Sequence, residues 1–487
     1  MPSQALDARG VVELEGVILS APGLRGTVSV ERARPGGSLR GSGRAREALD
    51  DALEQLEMQT DRTIVVEDPR ESAGRSAATR GGRRETAPVL SLAVPGPTEG
   101  REQVVLAVDE HGIASWRFGT AEEARGVRAA RNTRRYEIPR VVARPEGEAA
   151  TRGLIPGLTK VIRVISFPIA KAVGQAARFA AREWDVQRHP PRLRSYGPKG
   201  TLADLDDKGL GRLSKGRALL FVHGTFSTTE GAFGRLPATT FAELNRRYAK
   251  RVFAYDHPTI ADDPFENARR FFSLIGDRRL DLDIVCHSRG GLVARSIAER
   301  PGDLADLSPG VSVRSIVLVG VPSNGTILAK AKYWNELLDR MTTLINLVPG
   351  PGIPDILETV LAVVRSIAVE TAENLEGLDA MAPGGDFLKR LNTGPANPKA
   401  RYRAIVSDFE PRSPGIKAWL NDVVRDRIFD GKPNDMMVSI ESMTAANGSG
   451  RFPVTDIRAF KAAEGIEHAA YFPEGATSKA LLRWLRT

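Results

Sequence analysis

The chain has 487 residues, a net charge of +9, 41% hydrophobic residues and 6% aromatic residues, a size and composition that suit two or three globular domains. Its only cysteine, Cys286, excludes an internal disulfide and fits a reducing, cytoplasmic compartment. No charge-free apolar run reaches about 18 residues, so no spanning helix is expected. Met1 to Asp7 carries no secretory signal pattern. The basic excess comes without zinc-ligand spacing, an aromatic-plus-basic RNA motif or a helix-turn-helix, so nucleic acid is not an expected partner.

Residues 1–120 read as a β-rich domain whose role is not written in its residues. Val11–Leu19, Arg62–Val66, Val89–Val94 and Gln103–Val108 are short strand-like runs. The last turns at Asp109-Glu110-His111-Gly112 into Ile113–Phe118, which predicts a hairpin. A helix is expected over about Arg44–Met58, and residues 69–87, rich in Arg, Gly and Ser, read as a loop.

Residues 121–215 read as a basic linker. Within it, Ile155, Leu158, Val161, Ile162, Ile165, Ile169 and Val173 recur near helical spacing, with Lys160, Arg163 and Lys171 between them. This predicts an amphipathic helix over about 153–184, divided at Pro168. Docking on the next domain is the favoured role, with peripheral membrane contact as the alternative.

From Arg217 the pattern becomes alternating strand and helix. Ala218–Val222, Arg251–Tyr255, Leu280–Val285, Val313–Val319 and Tyr402–Val406 are predominantly apolar runs, and Pro264–Ile275 is helical. Buried runs separated by helices predict an α/β domain with a mainly parallel sheet.

Val285-Cys286-His287-Ser288-Arg289-Gly290-Gly291 joins one such strand to a helical pattern beginning at Leu292. A serine on a sharp strand-to-helix turn between small residues is a nucleophile elbow, and Cys286 stands where glycine is usual. A base and an orienting acid must accompany it. Of six histidines, His111, His189, His223, His257 and His287 precede the serine; only His468 follows it. In a serine, acid, histidine order, His468 is the candidate base. Asp435, in the turn Asn434-Asp435-Met436-Met437-Val438, is the favoured acid, and Asp408, after the fifth strand, is its rival. The backbone N–H of Arg289 and that of Thr225 or Phe226 are candidate oxyanion donors, with Gly224 allowing close approach. The Arg289 side chain is expected in a salt bridge rather than on an anionic headgroup.

Together these residues resemble the α/β-hydrolase superfamily, in particular its lipase-like branch of triacylglycerol lipases and lecithin:cholesterol acyltransferase-like enzymes. Phe221-Val222-His223-Gly224-Thr225 is similar to the family's oxyanion strand and loop, and His287–Arg295 to its elbow and following helix. Leu318–Thr326 resembles the turn from which the lid departs, Met381–Asn392 the return from it, and Asn434–Val438 the segment bearing the acid, with Met436 in place of glycine.

The resemblance spans about 216–487 and implies a lid insertion over about 327–392, with amphipathic helices at Leu328–Val348 and Pro354–Met381. It implies a serine hydrolase of carboxylic esters, a lipase or phospholipase, that needs no metal or organic cofactor and takes a lipid or ester substrate. An acyltransferase would use the same residues. A different reading is a non-catalytic or regulated effector whose N-terminal region binds a protein partner or a membrane.

Overall fold

The computed structural model describes residues 2–32, 44–71, 89–109, 112–121, 133–139, 160–169, 180–347, 353–368, 375–411, 427–445 and 454–485. The N-terminal strands are β1 (Ser3–Ala5), β2 (Val11–Leu14), β3 (Val17–Ser20), β4 (Leu24–Arg32), β5 (Gln59–Glu71), β6 (Val89–Pro95), β7 (Arg101–Asp109), β8 (Ala114–Phe118), β9 (Thr120–Ala121), β10 (Thr133–Pro139) and β11 (Lys160–Pro168). They form two antiparallel sheets, ordered β1-β4-β5-β11-β7-β8 and β2-β3-β6-β10-β9. Val105, Ala107, Ile162 and Val164 of the first sheet share a core with Leu19, Leu92 and Ile138 of the second. Their chain neighbours Val104, Leu106, Ile165 and Phe167 belong to another core, with Ala52 and Leu53 of helix Arg44–Gln55 and with the C-terminal region. β7 and β11 are therefore buried on both faces, which is why both read as apolar runs without clean alternation.

This corrects the expectation for 153–184. Residues 160–168 are a central strand, not part of a helix, and a helix spans Ala180–Arg188; residues 153–159 and 170–179 of the expected helix lie outside the described residues. The β-branched run Val161-Ile162-Arg163-Val164-Ile165 favours a strand, and burial of both its faces hides a period of two. Nor is 121–215 a linker: β10 and β11 complete the sandwich, and residues from 192 onward join the next sheet. Residues 72–88, most of the expected loop, and His111 lie outside the described residues.

The C-terminal sheet comprises β12 (Arg192–Tyr196), β13 (Leu202–Asp204), β14 (Ala218–Val222), β15 (Val252–Asp256), β16 (Leu280–His287), β17 (Val311–Val319), β18 (Arg401–Ser407) and β19 (Val454–Phe460). Its order is β13-β12-β15-β14-β16-β17-β18-β19. β14 to β19 pair in parallel; β12 and β13 form an antiparallel margin. The chain runs from β14 outward to β15 and then returns to β14's other side with β16. That reversal opens a crevice at the carboxyl ends of the strands, the usual place for a ligand in such a sheet.

An insertion between β17 and β18 carries helices Trp334–Leu347 and Ile353–Ala368. Its two ends meet, because the Thr326 N–H donates to Met381 O at 2.8 Å. The sandwich docks on this insertion through its edge strand β8. The Ala114 N–H donates to Thr343 Oγ1 (3.0 Å), the Trp116 N–H to Asp339 Oδ1 (2.6 Å) and the Trp116 indole to Thr342 Oγ1 (2.9 Å). Buried edge N–H groups need acceptors, and these side chains of the insertion supply them. Among the described residues no helix is long and apolar enough to cross a membrane.

Candidate active site

Ser288 follows β16 directly and holds φ = +51°, a left-handed conformation that non-glycine residues adopt rarely and at a cost. Its N–H donates to Val319 O at 2.9 Å, which anchors the turn on β17. Tight packing explains the small residues around it. A Cβ at Gly290 would lie 2.3 Å from His223 O, and one at Gly291 2.3 Å from the Val321 side chain. Cys286 is fully buried, with its Sγ 3.3 Å from Val317 O, and burial pushes its thiol up, which leaves it inert.

His468 arrives on the loop after β19. Its Nε2 lies 2.9 Å from Ser288 Oγ, and its Nδ1 lies 2.7 Å from Asp435 Oδ2. With the proton on Nδ1 facing the carboxylate, Nε2 is free to accept from the serine hydroxyl. The His468 backbone is held from both sides: its N–H donates to Asp435 O (3.0 Å), and its carbonyl accepts from His287 Nε2 (2.9 Å). Burial lowers His287 to about 3, so it stays a neutral donor.

Asp435 is fully buried and fully satisfied. Oδ1 accepts the N–H groups of Met437 (3.1 Å) and Val438 (2.8 Å); Oδ2 also accepts the Tyr471 hydroxyl at 2.8 Å. Met436 takes φ = +80°, the conformation for which the family's glycine is suited, and its carbonyl is gripped by Arg340 Nη1 at 2.8 Å. The rival acid Asp408 does not meet the imidazole; its backbone N–H serves the sheet by donating to Phe460 O.

The proposed oxyanion donors separate. The Phe226 N–H is used by Thr259 Oγ1 at 3.3 Å, which removes it as a donor. The N–H groups of Thr225 and Arg289 bond to no described residue and flank the serine. The Arg289 side chain is buried behind the elbow rather than facing a headgroup. It makes no salt bridge with a described residue: Nε donates to Gly377 O at 2.9 Å, and Nη2 donates to Asp262 O. It thus ties the insertion between β17 and β18 to the elbow, and burial lowers its guanidinium to about 10.

Sequence reasoning missed His287 and Tyr471 as supports, because nothing local marks a histidine or tyrosine whose partner is elsewhere in the chain. Among the described residues no group of three or more His, Cys, Asp or Glu side chains is placed to hold a metal ion.

At Ser288 lies a cavity of about 80 Å³, lined by Leu337, Met341, Leu344 and Ile356 from the insertion between β17 and β18 and also by Met381 and Met437. The insertion's apolar excess divides in two. Those residues face the cavity, whereas Val360, Leu361, Val363 and Val364 are buried in the core shared with helix Arg44–Gln55.

The sequence profile of the family described as "domain of unknown function (DUF7379)" matches residues 186–486. The chain belongs to that family. The DUF7379 region starts inside helix Ala180–Arg188 and takes in the whole eight-stranded sheet, the insertion between β17 and β18 and the candidate site; the sandwich lies outside it. No curated protein matches the chain.

Several solved structures resemble it. A Bacillus licheniformis lipase in mature form is 14% identical, with a TM-score of 0.33 over 55% of this chain and 90% of its own. Lipase 1 from Pelosinus fermentans is 15% identical, with a TM-score of 0.37 over 56% of this chain and 98% of its own. A Staphylococcus hyicus lipase is 16% identical, with a TM-score of 0.34 over 56% of this chain and 93% of its own.

Proposed function

We propose that this DUF7379 protein is an α/β-hydrolase of the lipase-like kind, cleaving carboxylic esters with apolar acyl groups through Ser288, His468 and Asp435. The observation that carries the reading is the continuous relay from Ser288 Oγ through both ring nitrogens of His468 to Asp435 Oδ2, at 2.9 and 2.7 Å. In this mechanism Nε2 takes the hydroxyl proton as Oγ attacks the ester carbonyl. The Thr225 and Arg289 N–H groups stabilise the oxyanion, and the imidazolium returns the proton to the leaving alcohol. Water activated by the same imidazole then hydrolyses the acyl-enzyme. The strained turn at Ser288 and the helix starting at Gly290 support the assignment, since both favour an exposed oxygen that becomes negative in the transition state.

The Met- and Leu-lined cavity supports an apolar acyl group, and its size sets a condition. About 80 Å³ is well below the roughly 300 Å³ at which drug-sized ligand pockets begin, so a long acyl chain requires the lid to move. The sandwich grips that lid at Asp339, Thr342 and Thr343, which favours, as a second reading, an enzyme whose access is regulated through its N-terminal region.

A fluorophosphonate probe tests the main reading. The folded full-length chain is expected to be labelled at Ser288 and the Ser288→Ala variant to remain unlabelled. Absence of labelling in the folded wild-type chain removes the enzymatic reading. A panel of esters and phospholipids, read by product mass, then defines the substrate.

A further inference from the structure

The catalytic loops occupy the carboxyl ends of the parallel strands. At the opposite end of the same sheet is a second cavity, of about 220 Å³, with a different chemistry. Two β-bulges lie at its margin. Leu282 pairs with Val313 and Asp283 with Ser315, so Arg314 is an extra residue in β17; Tyr402 pairs with Val454 and Arg403 with Asp456, so Thr455 is extra in β19. Bulges are rare between parallel strands and serve to re-aim side chains. Here the first turns Arg314 toward the cavity, beside Arg217 at the foot of β14.

Charge on the cavity walls is only partly compensated. Arg217 faces Asp281 (3.7 Å) and Asp283 (3.9 Å), and Arg314 Nε donates to Asp281 Oδ1 (2.8 Å). Arg403 is fixed by Ser315 Oγ and Trp484 O, each at 2.8 Å, and pairs with Asp456 at 3.4 Å. Lys399 and Arg401, at the entrance to β18, make no side-chain hydrogen bond or ion pair with any described residue, although both line the cavity.

Two buried residues of its lining each carry one polar atom without a partner among the described residues. Trp484 is 93% buried, and its indole N–H has no acceptor. Asp283 accepts the Tyr248 hydroxyl on Oδ2 at 2.5 Å, while Oδ1 has no partner, and burial raises its carboxyl. Free cations and an orphaned buried donor converging on one hollow call for a ligand rich in acceptor oxygens with more than one negative charge.

We propose that this cavity at the foot of the sheet binds a phosphate-bearing anion, with Lys399 and Arg401 supplying charge, the Trp484 indole donating a hydrogen bond and Arg403 held ready by Ser315. The guanidinium forks suit phosphate oxygens. Because the site lies at the far end of the strands from Ser288, it does not compete with an ester for the catalytic crevice.

The test uses the full-length chain and two phosphate sources. Isothermal titration with pyrophosphate is expected to show binding that weakens between about 0.05 and about 0.2 M salt. Lys399→Glu/Arg401→Glu is expected to lower the affinity at least about tenfold, while Trp484→Phe lowers it by a smaller factor. Short-chain ester hydrolysis by the double variant should match wild type. In parallel, co-sedimentation with phosphatidylcholine vesicles is compared with and without phosphatidic acid. Binding of pyrophosphate assigns a soluble phosphate; binding only to phosphatidic acid vesicles, lost in the double variant, assigns a lipid phosphate. Absence of binding in both arms, or binding undiminished in the double variant, overturns the proposal.

Discussion

Gly224→Ala is the sharpest probe of the candidate site, because the reaction centre leaves no room for one methyl group. A Cβ at Gly224 would sit 2.6 Å from Ser288 Cβ, 3.0 Å from His287 O and 3.3 Å from Ser288 Oγ. Ordinary contact begins near 3.4 Å, so the loop and the elbow must part by about 0.8 Å. None of these neighbours is the far end of a flexible side chain. Thr225, the next residue, carries a proposed oxyanion donor and moves with the loop. A misplacement of about 1 Å costs roughly a hundredfold in rate, or about 2.7 kcal/mol of transition-state stabilisation. Overpacking adds about 1–3 kcal/mol of destabilisation. The assay is kcat/KM on a short-chain p-nitrophenyl ester, paired with thermal unfolding to separate misplacement from loss of fold. A folded Gly224→Ala enzyme with wild-type kcat/KM would refute the placement of this loop against the nucleophile.

Asp435→Asn is expected to lower kcat by about 10⁴ while the fold is retained, and Asp408→Asn to stay within about twofold of wild type; the reverse order in steady-state kinetics would exchange their roles. Glu467 is buried, with Oε1 unpartnered, and burial raises its carboxyl from 4.5 to about 7. The folded state therefore holds this proton longer than the unfolded chain, and its contribution is full below about pH 4.5 and lost as pH rises through about 7. Glu467→Gln should gain on wild type over that window by about 3 kcal/mol, read as the difference between two Tm-against-pH curves; parallel curves would contradict it. Met436→Gly relieves about 1–2 kcal/mol of backbone strain but empties a fully buried side-chain site worth about 2–5 kcal/mol, so its Tm should fall; a rise would mean that strain dominates.

Ser288, His468 and Asp435 were legible as candidates for local reasons. An elbow writes itself in consecutive residues, His468 is the only histidine after the serine, and Asn434–Val438 is a polar turn entering an apolar run. The parallel strands from β14 to β18 were legible because strands buried on both faces are continuously apolar. The same property misled at 160–168, where a doubly buried strand imitates a helical stripe. β12 and β13 hid because margin strands are short and polar, and β19 because its residues alternate half-buried and exposed from Val454 to Ala459, with only Phe460 buried.

Local sequence by itself determined which chemistry-bearing side chains the chain carries, the order in which they come, and the turn that strains the serine. Tertiary structure alone set Asp435 rather than Asp408 against the His468 imidazole, engaged the Phe226 N–H with Thr259, turned Arg289 inward, set His287 and Tyr471 beside His468 and Asp435, and docked β8 on the insertion between β17 and β18. Each of these outcomes is a contact between residues far apart in the chain, settled by which buried polar group finds a partner once the sheet has assembled, and one-dimensional spacing does not encode that.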